Sequence, residues 1–543
     1  MARLGIILSV LLSVLAFAVV GPAHADDTPM ATALEGLKSK SFRTKGEAVM
    51  QVAEVGGDSA RRFLESLLAG QIYLQKSDKR IVVVEEQGEE LTAFDAESAE
   101  ALGPTEKSAL KKVIINNKMR GTLRREIARL SLGVAEASAR EAAAKSLYGS
   151  LSAETVELLR KALLRENDSD VQVALRVALA LSELDDADAQ IRLAAIEILS
   201  GSLHGEVRNR LSRLVEVNDE GTPNKPDEAV RQAATLAIEE IDGSRRILSL
   251  VETMFFGLSL GFILVLSATG LAITFGVMGV INMAHGELMM LGAYSTWVVQ
   301  QLMPGQLEAS LFAAIPVAFF VSAFVGVGIE RGVVRFLYGR PLETLLATFG
   351  VSLVLQQAVR SIFSPLNRAV STPEWMSGRL VINDALAFTY NRLYIILFSI
   401  GVFAALTVIL RFTTLGLQIR AVSQNRDMAR AMGVRGGWID ASTFGLGSGV
   451  AGLAGVALSQ LTNVGPNLGQ SHIVDSFMVV VFGGVGNLWG TLVAGLSLGI
   501  ANKFLEPFAG AVLAKIVVLV FIILFIQKRP RGLFPQQGRA AEA

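Results

Sequence analysis

The chain of 543 residues contains no cysteine, which excludes both a disulfide framework and a thiolate metal site. Charged residues make up only 18% of it, against roughly 25% in a typical soluble protein. Basic and acidic residues number 50 each, so the formal net charge is zero. The chain as a whole therefore has no basic field for nucleic acid, and we expect no nucleic-acid partner.

Motifs for common enzyme chemistries are missing as well. The sequence has no G-x-x-x-x-G-K-[ST] phosphate loop, so we expect no ATPase activity in this chain. The run His285-Gly286-Glu287 does not fit the zinc motif H-E-x-x-H, and Ser448 lacks the G-x-S-x-G frame of a hydrolase nucleophile. The sequence therefore predicts neither an enzyme nor a metal or cofactor site.

Charge divides the chain into two unlike halves. Residues 1–250 carry 32 basic and 38 acidic residues, a net charge of −6. Residues 251–543 carry 18 basic and 12 acidic residues, a net charge of +6, at about a third of the charge density. This contrast indicates an acidic soluble domain followed by a membrane domain.

Residues 1–25 have the pattern of a secretory signal peptide. Arg3 precedes the apolar run 4–20, and Ala23-His24-Ala25 is an A-x-A cleavage site. A retained membrane anchor is the alternative. Both interpretations predict that residues 26–245 are exported to the periplasm.

The predicted periplasmic domain, residues 26–245, is mainly α-helical. Its clearest helix covers residues 60–68, and a small β-hairpin is predicted where residues 72–74 and 81–84 flank a polar turn. From residue 106 to 243 the composition is helical throughout. Acidic residues stand at the predicted starts of these helices, where they favour the N-terminus; they are Asp168, Asp170, Asp186, Asp188 and Asp227.

A weak repeat occurs within the helical zone. The runs 191–195 and 230–234 are similar and lie 39 residues apart. A period near 40 built from helix pairs resembles HEAT-type repeats, which stack into a curved surface that binds other proteins. An ordinary bundle with Ala-rich packing is the alternative.

Residues 246–530 contain nine apolar stretches that approach the roughly 20 residues needed to cross a bilayer. They are residues 252–275, 285–303, 309–330, 342–362, 392–410, 438–461, 473–488, 489–505 and 510–527. If the soluble domain is outside, 12 of the 18 basic residues in this half fall in inside loops or after the last apolar stretch, where residues 531–543 form the predicted tail. The positive-inside rule therefore agrees with a periplasmic N-terminal domain and a cytoplasmic C-terminus.

Glycine has two distinct patterns in this half. Gly257-x-x-x-Gly261 and Gly495-x-x-x-Gly499 are small-residue faces typical of close helix packing. By contrast, residues 276–287 and 483–487 interrupt apolar segments with glycine and polar residues. Paired interruptions of this kind indicate a transport path, because irregular backbone at membrane depth must be buried or line a cavity.

Three motifs resemble those of the membrane permeases of branched-chain amino acid-type ABC importers. They are residues 275–287 (FGVMGVINMAHGE), residues 420–433 (RAVSQNRDMARAMG) and residues 529–534 (RPRGLF). The resemblance covers about residues 250–535. It implies an all-α polytopic permease in the bacterial inner membrane, two cytoplasmic ATPase subunits that use ATP, a homologous second permease subunit and a periplasmic binding protein.

Residues 473–490 (IVDSFMVVVFGGVGNLWG) are similar to the urea-transporting branch of that family. An exported extension fused to the permease also resembles that branch. The resemblance implies urea as the solute and a periplasmic urea-binding protein as a partner. An importer of branched-chain amino acids or short-chain amides is the alternative, and a membrane-anchored periplasmic scaffold or sensor is an alternative of another class.

The resemblance also implies that segment 412–436 docks on the ATPase, through a short helix with the pattern E-A-A-x-x-x-G. Here that pattern becomes Asp427-Met428-Ala429 followed by Gly433, which departs from it at two of three positions. Met428 and Met432 are one turn apart and are predicted to form an apolar knob. Basic residues of the segment are predicted to pair with acids of the ATPase; they are Arg420, Arg426 and Arg430. An ordinary basic inside loop is the alternative.

Polar residues within the membrane half are candidates for the solute pathway. His285 and Glu287 are ionisable groups in an apolar region and are functional candidates on that ground. A structural hydrogen bond that closes the break after Asn282 is the alternative. A neutral planar amide needs a few fixed donors and acceptors in a narrow slot. The remaining candidates are polar residues of the same half: Asn282, Thr348, Gln356, Asn463 and Asn487.

Overall fold

The computed structural model describes residues 29–87, 90–98, 100–216 and 227–534. The predicted signal peptide, and the tail beyond residue 534, lie outside the described residues. The chain separates into two compact units, one ending at Asp242 and one starting at Gly243. The described chain is mostly helical, as the composition predicts.

Three helices open the first unit: α1 (Pro29–Leu37), α2 (Phe42–Val55) and α3 (Gly57–Ala69). Helix α3 contains the predicted helix 60–68, and its apolar side chains at 60, 63, 64 and 67 are buried as the periodicity requires. Left-handed Gly70 ends it, with its N–H bonded back to the Ser66 and Leu67 carbonyls.

The predicted hairpin is one part of a larger sheet. Strands β1 (Ile72–Gln75), β2 (Ile81–Gln87), β3 (Glu90–Asp95), β4 (Ala101–Thr105) and β5 (Leu110–Lys112) form an antiparallel sheet of order β4-β3-β2-β1-β5. The predicted hairpin accounts for only two of the five strands of this sheet. The other three strands are β3, which lies inside the sheet, and β4 and β5, which form its edges. At the edges the Gly-Pro of β4 and the lysines of β5 are tolerated but obscure the strand pattern.

Six further helices follow: α4 (Asn117–Ser131), α5 (Ala137–Ser146), α6 (Ala153–Leu163), α7 (Ser169–Glu183), α8 (Ala189–Ser200) and α9 (Gly205–Val215). Their buried residues, chiefly Ala, Leu and Val, form one core with Val230 and Ala234 of the next helix. Asp168 and Asp188 cap α7 and α8 by accepting backbone N–H bonds, as their positions predict.

The second unit contains the apolar helices. They are α10 (Glu228–Met278), α11 (His285–Leu302), α12 (Leu307–Gly332), α13 (Pro341–Phe363), α14 (Tyr390–Phe412), α17 (Gly436–Ser459), α18 (Leu468–Gly483) and α19 (Leu488–Lys528). Two short helices, α15 (Thr414–Gln424) and α16 (Arg426–Ala431), lie between α14 and α17. A two-stranded sheet, β6 (Arg379–Asn383) and β7 (Leu386–Thr389), precedes α14.

Six of these helices are long and apolar enough, by length and composition, to cross a bilayer: α10, α12, α13, α14, α17 and α19. Helix α19 is broken at Gly510, whose φ of 76° is not helical, so the two predicted spans 489–505 and 510–527 fall on its two parts. The predicted spans 285–303 and 473–488 fall on the shorter helices α11 and α18. The chain is therefore a polytopic membrane protein, and its nine crossings stay a prediction.

Candidate functional site

The candidate site lies at the break between α10 and α11. Helix α10 ends at Met278, Gly279 adopts a left-handed φ of 63°, and α11 begins only at His285. The second predicted break lies beside the first, since a Cβ added at Gly276 would lie 2.6 Å from the Gly486 Cα. The two interruptions of the sequence therefore meet in the folded chain.

Side chains satisfy the backbone at this break. The Asn282 side-chain oxygen accepts the Ala284 N–H at 3.0 Å, and the Thr348 hydroxyl on α13 accepts the Met283 N–H at 3.1 Å. Both side chains are buried. The break is thus held by specific polar contacts, which irregular backbone within an apolar region requires.

Glu287 lies in the first turn of α11 and is only 1% exposed. Its Oε1 accepts hydrogen bonds from the Ser352 hydroxyl at 3.0 Å and from the Gln356 amide at 2.8 Å. Thr348, Ser352 and Gln356 are spaced four residues apart, so they share one face of α13 that is turned to this carboxyl group.

His285 is fully buried and bonds to the opposite wall of the site. Its Nε2 lies 2.9 Å from the Ser267 carbonyl oxygen on α10. A carbonyl only accepts, so Nε2 carries the proton and Nδ1 of the neutral ring is an acceptor. The Ser267 hydroxyl in turn lies 2.5 Å from the Ser476 hydroxyl on α18. The site is therefore enclosed by α10, α11, α13 and α18.

Three buried polar atoms between residues 282 and 287 have no hydrogen-bond partner among the described residues. They are the Asn282 Nδ2, the His285 Nδ1 and the Glu287 Oε2. One is a donor and two are acceptors. Buried polar atoms normally have partners, so each of these three atoms is available to a group that the described residues do not supply.

The structure thus brings together five of the seven predicted pathway residues: Asn282, His285, Glu287, Thr348 and Gln356. Asn463 is exposed in the turn between α17 and α18. Asn487 caps α19, accepting the N–H groups of Trp489 and Gly490 at 3.1 and 3.2 Å. Ser267, Ser352 and Ser476 belong to the site and were missed, although the 348-352-356 spacing in an apolar helix was a visible signal for Ser352.

The predicted ATPase-docking segment folds as α15 and α16. Asn425 caps α16 by accepting the Met428 N–H at 3.0 Å, and Gly433 follows with a left-handed φ of 88°. Met428 and Met432 are 64% and 84% exposed, so the predicted apolar knob is accessible, whereas Ala429 is buried. Asp427 is exposed and lies 4.0 Å from Arg430.

The arginines of this segment differ in their surroundings. Arg420 donates to the Leu410 carbonyl, while Arg426 forms an ion pair with Asp440 of α17 and donates to the Tyr338 hydroxyl. Burial, and secondarily the Asp440 carboxylate, raise the pKa of Tyr338 above its ordinary value, so this hydroxyl stays protonated. The guanidinium group of Arg426 therefore already has hydrogen-bond partners within this chain.

Comparison with known proteins places the second unit in a family. Residues 253–526 match the family described as "Branched-chain amino acid transport system / permease component". The high-affinity branched-chain amino acid transport system permease protein LivH of Escherichia coli is 29% identical over 300 residues, which cover 53% of this chain and 97% of the relative.

Two other relatives are similar to the same extent. LivH of Salmonella typhimurium is 28% identical over 300 residues, again 53% of this chain and 97% of the relative. The permease protein BraD of Pseudomonas aeruginosa is 29% identical over 287 residues, 51% of this chain and 93% of the relative. No solved structure matches the chain significantly. Since the family match covers half of the chain and includes the helix break with its polar cluster, this protein belongs to the branched-chain amino acid permease family of ABC importers.

Proposed function

We propose that this chain is the transmembrane permease subunit of a urea importer. The observation that carries the proposal is the set of three unpartnered buried atoms at the helix break. Urea is neutral and planar, with N–H donors on two sides and one carbonyl acceptor. The Glu287 Oε2 and the His285 Nδ1 accept from its amide groups, and the Asn282 Nδ2 donates to its carbonyl oxygen.

Recognition of this kind favours a small amide over an ion. The Glu287 carboxyl group is already held by Ser352 and Gln356, so its orientation is fixed before the solute arrives. A site whose buried polar groups are left unpaired by the wrong solute discriminates strongly. The similarity of residues 473–490 to the urea branch supports the same solute.

The proposed assembly follows the family's organisation. Two cytoplasmic ATPase subunits bind the exposed face of α16, a homologous second permease subunit completes the pathway, and a periplasmic binding protein delivers urea. The positive-inside bias supports a signal-exported N-terminal domain in the periplasm and a tail in the cytoplasm. This orientation requires an odd number of crossings, which the proposed nine satisfies, and the proposed N-terminal domain is HEAT-like.

A branched-chain amino acid importer is the second candidate. It is favoured by the names of the relatives, which are permeases of branched-chain amino acid transport systems. Such a solute carries an ammonium group, a carboxylate and a branched apolar side chain. The predicted site offers the Glu287 carboxyl group for the ammonium. The nearby cation, Arg360, is one turn beyond Gln356 on α13 and already donates to the Asn467 side chain at 2.7 Å, so it is not a free partner for the carboxylate.

Labelled urea uptake by the assembled importer in membrane vesicles tests the proposal. We expect ATP-dependent uptake that excess leucine does not compete away. Glu287→Gln is expected to lower uptake at least tenfold at equal expression. The new amide group either puts a donor in place of the unpartnered Glu287 Oε2 or rearranges the hydrogen bond with Gln356. The matched control is Asn463→Ala, at an exposed polar position.

The outcomes separate the candidates. Uptake of leucine that urea does not affect would replace urea by the second candidate. Binding-protein or partner association without uptake of either solute would favour a scaffold or sensor. Unchanged uptake in Glu287→Gln would remove Glu287 from the pathway.

A further inference from the structure

We infer that Arg426 is a positioning residue that links the short helix α16 to α17, and through α17 to the solute site. The inference rests on the proposed function, because it assumes that an ATPase moves α16. It connects two regions that are far apart in the sequence: the 412–436 segment and the helix break at residues 279–284.

The guanidinium group of Arg426 is held from two sides. Its Nη1 and Nη2 donate to the two carboxylate oxygens of Asp440 at 2.8 and 3.0 Å. Nη2 also donates to the Tyr338 hydroxyl at 3.1 Å, and the guanidinium carbon lies 4.5 Å from the centre of the Tyr338 ring. A bidentate pair on an aromatic face fixes both distance and orientation.

This ion pair is partly buried, whereas the other ion pair of the segment is exposed. The Arg426 and Asp440 side chains are 24% and 4% exposed, whereas those of Arg430 and Asp427 are 56% and 96% exposed and lie 4.0 Å apart. Helix α16 has only six residues and begins at Arg426 itself. A helix this short is not stable alone, so its position depends on such attachments.

The opposite face of α16 is free for a partner. Met428 and Met432 are exposed, while Ala429 packs against Ile439 of α17 in a small apolar cluster. The helix therefore has an outward apolar side and an inward side tied to the first turn of α17. A force applied to the methionines acts on α17 through Arg426 and Ala429.

Helix α17 contacts the solute site by backbone against backbone. A Cβ added at Gly455 would lie 2.0 Å from the Met289 carbonyl oxygen, and one added at Gly292 would lie 2.1 Å from the Gly452 carbonyl oxygen. Met289 is two residues from Glu287 on α11. Helices that contact each other through their backbones cannot move independently, so a shift of α17 displaces α11 and with it Glu287.

The test uses the complete importer in vesicles and measures three quantities: ATPase subunits retained on purification, ATP hydrolysis and urea uptake. Arg426→Gln is expected to retain the subunits and at least half of the hydrolysis, while uptake falls at least tenfold. Arg426→Lys keeps the positive charge but lacks the planar guanidinium group that donates to both Asp440 oxygens. We therefore expect an intermediate ratio of urea moved to ATP hydrolysed. Arg340→Gln is the control, since Arg340 pairs with Glu343 on the exposed surface.

Each result has one meaning. If the unmodified importer takes up no urea, the proposed function fails and Arg426 is not the cause. If it transports urea and Arg426→Gln or Arg426→Lys keeps the original ratio of urea to ATP, the positioning role is overturned while the proposed function stands. Loss of the ATPase subunits from both variants would also overturn it, because Arg426 would then hold the docking surface alone.

Discussion

Different kinds of contact stabilise the interior of each of the two units. In the first unit the stabilising contacts are made by side chains. Aspartates cap α7 and α8, Arg140 pairs with Glu166, and leucine and valine fill the core. In the second unit the closest helix contacts occur where a side chain is missing, as at Gly455 and Gly499. Each device suits its solvent.

Water makes burial of large apolar side chains favourable, so a soluble core gains from bulk. Lipid offers no such gain, because a leucine is equally well solvated in the bilayer. Membrane helices then associate through close packing, which small residues permit. The comparison teaches that replacing glycine by alanine is costly where two helices meet backbone to backbone and mild where the added methyl group meets nothing.

The largest expected effect is therefore at Gly455 in α17. Gly455→Ala places a methyl group within 2.0 Å of the Met289 carbonyl oxygen, and backbone cannot rotate away as a side chain would. We expect a loss of about 3 kcal/mol or more in the free energy of unfolding, as for severe overpacking. Thermal unfolding of the purified chain in detergent, followed by size exclusion, measures it.

Gly401→Ala is the matched control, because it is also a glycine in an apolar helix but its Cβ would meet nothing within 4 Å. Its effect should stay within about 1 kcal/mol, the range of helix propensity. Equal stability of the two variants would contradict the conclusion that the backbone contact at Gly455 stabilises the second unit.

A smaller effect is expected where the C-terminal motif meets a glycine turn. The Leu533 N–H bonds to the Phe482 carbonyl oxygen at 2.9 Å and the Phe534 N–H to the Gly483 carbonyl oxygen at 3.2 Å. Gly532 has a φ of 75°, and a Cβ there would lie 2.7 Å from the Gly484 nitrogen. Gly532→Ala should therefore cost about 2 kcal/mol, from the left-handed backbone and the contact together, and expose the tail to protease.

Gly305→Ala separates those two causes. Gly305 has a φ of 76° like Gly532, but its Cβ would meet nothing within 4 Å. Only the cost of the left-handed backbone, about 1 kcal/mol, should remain. Proteolysis of the tail in Gly532→Ala at the unmodified rate would show that the motif is not held by this turn.

Local patterns of the sequence identified one close helix contact of the second unit. The two predicted small-residue faces pack against each other, since a Cβ at Gly499 would lie 2.3 Å from the Gly261 backbone. The tail motif and the 483–487 turn were recognised separately, yet their contact was not predicted. Pairing of distant segments depends on the whole fold, which spacing along the chain does not encode.

The candidate site was predicted in the same uneven way. Asn282, His285 and Glu287 are neighbours in sequence, so one motif identified them all. Thr348 and Gln356 were chosen as polar residues in an apolar helix, and the structure places them on the same face as Ser352. Asn463 was chosen on the same ground and lies elsewhere, because amide type alone carries no information on which way a side chain faces.

The last effect concerns the first unit and, in the unmodified protein, appears only in acid. Hydrogen bonds from Arg140, and then from the backbone of Asp168 and Asn167, lower the pKa of Glu166 from 4.5 to about 2. Because the pKa is lowered on folding, the stabilisation is complete above pH 4.5 and is lost as the pH falls towards 2. Hydrogen exchange of peptides covering residues 137–171, corrected for its intrinsic pH dependence, should therefore accelerate across that interval.

Glu166→Gln cannot ionise, so its peptides should show no such acceleration and should already exchange faster at pH 7, because the ion pair with Arg140 is absent. Glu157→Gln is the control: Glu157 pairs with Lys161 on the exposed surface, where ion pairs contribute little. The same pH series on peptides covering residues 445–459 of α17, which lie beyond the Asp440 ion pair, should be flat between pH 4.5 and 2, because the glycine backbone contacts there carry no titratable group. Acid-dependent exchange in residues 445–459, or none in residues 137–171, would contradict the contrast between contacts made by charged side chains and contacts made by glycine backbone.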